Sequence, residues 1–207
     1  MQTQPFNLQK SPEIDIILEF IKKLHPNKVL EPGANFGREL KYLEGIVPHL
    51  YGIDLNREKV QFGKTYVKAE FRIADASNIP YKDNKFDFVY TDGIFAHSAP
   101  EKIKAIMDEI FRVSSKYILL VEYVGTHLSR NTVGNCKQNT WIHDYNKLVS
   151  GYDVMTKYNE KMFYGTDCFQ VILLKKEIKK REEFIFVHEV PQERKFEIKI
   201  GKFRLGI

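Results

Sequence analysis

The sequence is poor in the features that mark a membrane, secreted or metal-binding protein. Its 207 residues include two cysteines, and neither Cys136 nor Cys168 has the second cysteine of a CxxC zinc pair. No apolar run approaches the roughly 20 residues that a membrane-spanning helix needs. The amino terminus lacks the basic-then-apolar order of a secretory signal. We therefore expect a soluble cytoplasmic protein with ordinary thiols, no membrane contact and no bound metal.

Basic and acidic residues nearly balance over most of the chain, and the excess of positive charge lies at its end. The formal net charge is +5, and residues 175–207, with ten Lys and Arg against six Glu, carry +4 of it. A basic end suits nucleic acid or anionic lipid. Here the lysines are interspersed with glutamates and form no polybasic block. We expect a solvated surface, with nucleic-acid binding as the less favoured use.

Strand-like and helix-like segments alternate along the chain. Strands are predicted at 28–32, 50–54, 69–74, 86–91, 117–124, 153–161 and 169–176. Helices are predicted at 12–24, 37–46, 56–66, 100–113 and 141–149. This order predicts an α/β protein with a Rossmann-like, doubly wound and mostly parallel seven-stranded sheet. We expect residues 1–176 to form that domain and residues 177–207 to form an appended basic β-hairpin.

Acidic residues end the first three predicted strands. Glu31, Asp54 and Asp75 would meet at one sheet edge, because ligands of such sheets bind at the carboxyl ends of the strands. Gly33 and Gly37 follow the first strand and permit a tight turn. Their spacing is not GxGxxG, so the loop is a poor dinucleotide site. Any one carboxylate alone is more often structural, but three at consecutive strand ends favour a binding site.

Each strand end suits a different ligand group. Glu31 suits an ammonium group better than a phosphate. Asp54 lies 21 residues beyond Gly33, where a carboxylate can accept both ribose hydroxyls. Asp75 can accept from an adenine amine, or it can instead cap a turn of its own loop.

Four ordered segments resemble the class I S-adenosylmethionine-dependent methyltransferases. They are VLEPGANFG, YGIDLN, and the two parts of ADASNIPYKDNKFDFVYTDGIFAH, and the resemblance runs from Val29 to Tyr123. Several segments are also similar to a group of small methylases associated with pseudaminic acid biosynthesis. The chain lacks the Tyr- and Arg-rich pattern that those methylases have after the fifth strand, so their substrate is not carried over.

The resemblance implies S-adenosyl-L-methionine as cofactor and gives a role to each strand end. The methionine part would lie at the first strand end and its loop, against Glu31, Gly33, Ala34, Asn35 and Gly37. The adenosine part would lie at the second and third strand ends, against Asp54, Leu55, Asp75 and Ala76. Asp92, at the end of the fourth strand, would face the cofactor beside the transferred methyl group.

Methyl transfer by in-line displacement needs an aligned acceptor and, for some acceptors, a base. His97 and Asp92 are the catalytic candidates, since both follow the fourth strand and His97 has an ordinary pKa suited to neutral pH. Glu122 and His127 are further base candidates near the fifth strand. The competing interpretation of His97 is a packed or capping histidine before the next helix.

Three functions stay open. The near-neutral body favours O- or N-methylation of a small-molecule acceptor. The basic hairpin at 177–207 would instead serve an RNA or protein methyltransferase as a docking arm, or form a homodimer contact. A catalytically silent partner subunit with the same fold is the third possibility.

Overall fold

The computed structural model describes residues 10–124, 141, 143–161, 168–176, 184–187 and 198–201. Its helices are α1 (Pro12–Leu24), α2 (Arg38–Leu43), α3 (Arg57–Tyr66), α4 (Pro100–Val113) and α5 (Tyr145–Val149), with a 3₁₀ turn at Phe95–His97. Its strands are β1 (Lys28–Pro32), β2 (His49–Asp54), β3 (Glu70–Ile73), β4 (Phe86–Asp92), β5 (Ser114–Val124), β6 (Val154–Lys161), β7 (Cys168–Lys175), β8 (Phe184–Val187) and β9 (Ile198–Gly201).

Seven strands form one sheet in the order β3-β2-β1-β4-β5-β7-β6. The pairs from β3 to β5 are parallel, and β7 runs antiparallel to both β5 and β6. This confirms the doubly wound, mostly parallel seven-stranded sheet that the alternation of segments predicts. Within the described residues, no helix is both long enough and apolar enough to cross a lipid bilayer.

Strand β5 shows how the sheet is covered on both faces. Tyr117, Leu119 and Val121 belong to the core that the sheet shares with α1, α2 and α3. Ile118 and Leu120 belong to the opposite core, shared with α4 and α5. Because both faces are buried, residues 117–121 of this strand form an uninterrupted apolar run in the sequence.

Helix α2 is shorter than the predicted helix over 37–46. It begins after Gly37 and ends at Leu43, and Glu44 leaves the helical conformation. The Glu44 carboxylate accepts from the Lys68 N–H and from Lys41 Nζ, and Gly45 has a φ of +76°. A side-chain bond to a distant backbone group and a left-handed glycine end the helix early.

Helix α5 is also shorter than the predicted helix over 141–149. Asp144 caps it by accepting from the Lys147 N–H at 3.1 Å, which fixes its start at Tyr145. Trp141 and His143 lie before the cap and bond to the backbone of the segment after β4. Those two residues therefore hold another loop and add no turn to the helix.

Strands β8 and β9 pair antiparallel, from Phe184↔Gly201 to Val187↔Ile198, as the hairpin prediction requires. Cα atoms of β8 lie within 8 Å of those of β6. At the end of β7, the Lys176 ammonium donates to Asn84 Oδ1 at 2.8 Å and to two backbone carbonyls of the α4 end. The apolar hairpin faces lie outside the side chains that the structure describes, and the division at residue 176 stays a prediction.

Candidate active site

The strand order reverses between β1 and β4, and ligands of such sheets bind in the crevice outside the carboxyl ends of the strands at this point. Gly33 and Gly37 line it with φ of +75° and +80°, a region that other residues avoid. A Cβ on Gly37 would lie 2.6 Å from the Phe71 ring, and one on Gly33 would lie 3.0 Å from Ile94. Both glycines are therefore required by conformation and by space.

Asp54 joins the glycine loop to the end of β2. Its Oδ2 accepts from the Asn35 N–H at 3.0 Å and its Oδ1 from the Asn56 N–H at 2.8 Å. The Ala34 N–H also donates to the Ile53 carbonyl, at 2.9 Å. Each carboxylate oxygen of the half-buried Asp54 retains one acceptor position, which is enough for two ribose hydroxyls.

The ends of β2 and β3 are held side by side. The Ala74 N–H donates to the Asp54 carbonyl at 3.1 Å, which places Asp75 at the same edge. Leu55 has 65% of its surface exposed, so an apolar face is available there, whereas the Ala76 side chain is buried in the core.

Asp75 is engaged within its own loop. Its Oδ1 accepts from both the N–H and the hydroxyl of Ser77, and its Oδ2 from Lys102 Nζ at 3.2 Å. The Ser77 N–H, followed by its hydroxyl and Lys102, lowers the pKa of Asp75. This is the turn-capping arrangement that the sequence left open beside adenine binding, and one acceptor position on Oδ2 remains.

A group of buried and half-buried carboxyls lies where β1 and β4 end. Glu31 is 2% exposed and accepts from the Tyr90 hydroxyl at 2.8 Å. Burial, and then the Glu39 carboxylate, raises the pKa of Glu31 well above its usual range. Burial, and then Glu39 and Glu13, does the same to the pKa of Asp92. These surroundings favour the protonated forms of Glu31 and Asp92.

Helices α1 and α2 complete this group with residues that the sequence analysis missed. Arg38 forms an ion pair with Glu39 at 2.5 Å, and both Glu39 and Glu13 are buried. Arg38 acts on the charges of Glu31 and Asp92. We call Glu13, Glu31, Arg38, Glu39 and Asp92 the crevice cluster.

His97 ends the 3₁₀ turn after β4, at the mouth of the crevice. Its side chain is exposed, yet neighbouring atoms desolvate the ring. That desolvation, and then the Lys59 ammonium, lowers the pKa of His97. The imidazole is therefore neutral at physiological pH and able to accept a proton.

The segment from Ile94 to Ser98 is bound to the sheet by a hydrogen bond to β5. Glu122, fully buried on β5, accepts from the Phe95 N–H at 3.2 Å. Burial raises the pKa of Glu122 to about 8. This places Glu122 beneath the loop that carries His97, which differs from the base role expected from the sequence. His127 lies outside the described residues.

The same segment is held from its other side by the residues before α5. His143 Nε2 lies 2.8 Å from the Phe95 carbonyl and 3.1 Å from the Ser98 carbonyl. Because both partners are acceptors, Nε2 carries the proton. The Trp141 N–H donates to the Ala96 carbonyl at 2.9 Å. Backbone polar groups of the His97 loop are thus fixed by two different parts of the chain.

The structure thus brings nearly all predicted site residues to one edge of the sheet. Gly93, which follows Asp92, has a φ of +67°, and a Cβ there would lie 2.6 Å from the Tyr123 ring. No cluster of three His, Cys, Asp or Glu within the described ranges is arranged to hold a metal ion.

Part of the chain is similar in sequence to known proteins. Residues 30–121 match the family model of a methyltransferase domain. A demethylmenaquinone methyltransferase of Thermotoga maritima is 30% identical over 142 residues, which are 65% of this chain and 61% of that protein. The chain therefore spans less than two thirds of the length of this curated relative.

Solved structures share the fold at lower identity. A SAM-dependent methyltransferase of Methanosarcina mazei has a TM-score of 0.65 at 18% identity, covering 79% of this chain and 98% of that one. The magnesium protoporphyrin IX methyltransferase of Synechocystis, solved with bound SAH, has a TM-score of 0.64 at 13% identity, covering 80% and 82%. The chain thus has the fold of the S-adenosylmethionine-dependent methyltransferases, and its residues 30–121 match a methyltransferase domain.

Proposed function

We propose that this chain transfers a methyl group from S-adenosylmethionine to a small-molecule acceptor. The observation that carries the proposal is the Asp54 carboxylate, which fixes the glycine loop through the Asn35 N–H and still has two free acceptor positions. A ligand with two adjacent hydroxyls fits there, next to the exposed Leu55.

The remaining residues fit the rest of the cofactor. The exposed Leu55 offers an apolar face to the adenine, and Asp75 offers one acceptor position to its amine. Glu31 and Asp92 would face the cationic methionine end, where a positive charge relieves the repulsion among the carboxyls. These contacts are part of the proposal.

The bound cofactor would supply a methyl group on a positively charged sulfur. His97 would accept the proton that an acceptor hydroxyl or amine loses, since its imidazole is neutral. Asp92 would lie beside the transferred methyl group as the second candidate. Glu122 and His143 would keep the His97 loop in place during alignment of the acceptor.

Two observations support a small acceptor. The relative and the structural neighbour are named for menaquinone and porphyrin chemistry, in which the acceptors are small molecules. The charge of residues 1–174 is close to neutral, so the body has no general attraction for a polyanion.

The test is cofactor binding by calorimetry with two matched variants. Asp54→Asn should weaken S-adenosylmethionine binding roughly 5- to 150-fold, because charge-assisted hydrogen bonds are lost. Asp87→Asn is the control, since Asp87 also accepts from two backbone N–H groups, at 2.7 and 2.8 Å, but at the opposite sheet edge. Equal weakening by both variants, or no binding to the wild type, would contradict the proposal. Mass spectrometry of copurified molecules would then identify the acceptor.

An RNA or protein methyltransferase is the second candidate, favoured by the +4 charge of residues 175–207. Deleting 177–207 and measuring RNA binding and light scattering separates the uses of this segment. Loss of RNA binding that was steeply salt-dependent would favour the second candidate. Loss of a dimer or of solubility would favour burial of the hairpin. Cofactor binding without any turnover would assign the catalytically silent role.

A further inference from the structure

Helix α1 brings a carboxylate to the crevice from outside the matched domain at residues 30–121. Glu13, in the first turn of α1, is 4% exposed, and its Oε2 has no hydrogen-bond partner. Its helix packs in one core with Tyr90 of β4 and Val121 of β5, and Tyr123 lies against that core. The charge of Glu13 also acts on Asp92 and Tyr123, near the ends of these two strands. A buried acceptor without a donor is costly unless a ligand supplies one.

The crevice cluster contains more carboxyl groups than basic groups. Its four carboxyls come from four elements, and Arg38 is already paired with Glu39. Tyr90 donates one neutral hydrogen bond to Glu31. The carboxyls of the described residues do not converge as metal ligands do. The unmatched charge therefore fits an organic cation.

We propose that Glu13 is a cofactor-site residue and that Asp92 and Glu31 release protons to the solvent when S-adenosylmethionine binds. This inference rests on the proposed function. In each event a carboxyl O–H bond breaks, the proton passes to buffer, and the carboxylate left behind pairs with the cation of the ligand. Glu13 contributes negative charge that both favours protonated Asp92 in the free protein and attracts the cation in the complex.

The groups that face these carboxyls come from every element around the crevice. They are Glu13 of α1, Arg38 and Glu39 of α2, Tyr90 of β4, and Glu122 and Tyr123 of β5. Arg38 opposes protonation, while the other carboxyls favour it. The balance explains why burial and acidic neighbours raise the pKa of both Glu31 and Asp92.

The sign of the pH dependence follows by linkage. A cation favours the ionised carboxyls, so affinity rises with pH until Asp92 and Glu31 are ionised in the free protein. S-adenosylhomocysteine lacks the sulfonium charge. Its binding should therefore release fewer protons and depend less on pH.

The experiment is titration calorimetry of the full chain near neutral pH in phosphate and in Tris, whose ionisation enthalpies differ. The slope of the observed heat gives the protons released per ligand. We expect a net release of protons for S-adenosylmethionine and a smaller release for S-adenosylhomocysteine.

Glu13→Gln tests the contribution of α1, and Asp15→Asn is its control in the same helical turn, on an exposed residue. Glu13→Gln should weaken S-adenosylmethionine binding roughly 3- to 10-fold and S-adenosylhomocysteine binding less than about 2-fold, because the lost attraction acts on the sulfonium. Proton release should also fall in Glu13→Gln. Asp15→Asn should match the wild type, and thermal melting of each variant verifies folding.

The outcomes are distinguishable. Binding of both ligands without proton exchange would overturn this inference and leave the proposed function standing. Equal weakening of both ligands by Glu13→Gln would remove Glu13 from the site. Failure of the folded wild type to bind either ligand would overturn the proposed function itself.

Discussion

Two charged clusters in this molecule differ in how completely their hydrogen bonds and ion pairs are satisfied. In the first, at the end of α4, Arg112 donates to the Ile79 and Tyr81 carbonyls at 2.9 and 2.8 Å and pairs with Glu109 and Asp83. Glu109 also accepts from the Ile79 N–H, at 2.7 Å. In the crevice cluster, by contrast, acid exceeds base and Glu13 Oε2 has no partner. A saturated cluster, in which every charged group has a partner, holds a loop in place. An unsaturated cluster has an unpartnered acceptor that a ligand can bind.

The distribution of unpartnered oxygens follows this contrast. Within the described residues, buried side-chain oxygens without a hydrogen-bond partner include those of Ser11, Glu13 and Tyr145. None of these three belongs to the Arg112 cluster, whereas Glu13 belongs to the crevice cluster. An unmet acceptor there lowers stability and leaves a position for a ligand.

The largest expected effect is on catalysis with no effect on stability. His97→Ala should lower turnover about 10²- to 10⁴-fold, the usual contribution of a positioned base. The melting temperature should be unchanged because the side chain is exposed. His49→Ala, on an exposed histidine at the start of β2, is the control. An unchanged rate on the true acceptor would make His97 structural and leave Asp92 as the candidate base.

The next effect is on stability alone and depends on pH. Burial raises the pKa of Glu122 above its ordinary value to about 8 in the folded state, so its contribution to stability is present at low pH and lost as pH rises through about 8. Glu122→Gln should remove this loss, worth roughly 3–5 kcal/mol between about pH 5 and pH 9. Denaturant unfolding of both proteins at the two pH values measures it.

Glu58→Gln, at an exposed position on α3, is the control for that experiment and should follow the wild type. An equal fall in stability of the wild type and of Glu122→Gln would show that Glu122 is ionised at low pH. It would then not be the buried neutral acid beneath the His97 loop.

The smallest effect tests the saturated cluster. Arg112→Met should lower the free energy of unfolding by about 1–3 kcal/mol, because two carbonyls and two carboxylates lose a donor. Cofactor affinity should change less than about 2-fold. Lys104→Met removes an exposed pair with Asp108 on the same helix and should leave the free energy of unfolding unchanged. Loss of binding beyond loss of stability in Arg112→Met would erase the distinction between the two clusters.

The fold was predictable because its signals are local. Apolar runs and strand-end acids give the order of the elements, and the continuous run of β5 reflects burial on both faces. The helix ends were less predictable. Asp144 begins α5 as a cap, and Glu44 ends α2 by bonding to Lys68, which is 24 residues away. The second of these depends on contacts that no local pattern contains.

The part of the site that follows the strands was predictable from the sequence, and the part contributed by α1 was not. Asp54 and the two glycines follow strands directly, so their position in the sequence gives their position in space. Glu13 lies one helical turn before Ile17, on the apolar stripe of α1, and this was the available signal. An acid on an apolar stripe indicates either a partner or a ligand. The sequence could not show that this stripe meets the ends of β4 and β5.

The distance between the crevice and the bound ammonium of Lys176 can be compared with the size of the acceptor. β7 pairs with β5 from Val124↔Cys168 at the crevice edge to Tyr117↔Lys175 at the far edge, which is about 25 Å along the strand. The basic stretch thus departs from the side of the sheet remote from the crevice, with Lys176 already bound to protein oxygens. A sugar-sized molecule in the crevice is too short to touch that departure point. A polymer is long enough to touch both.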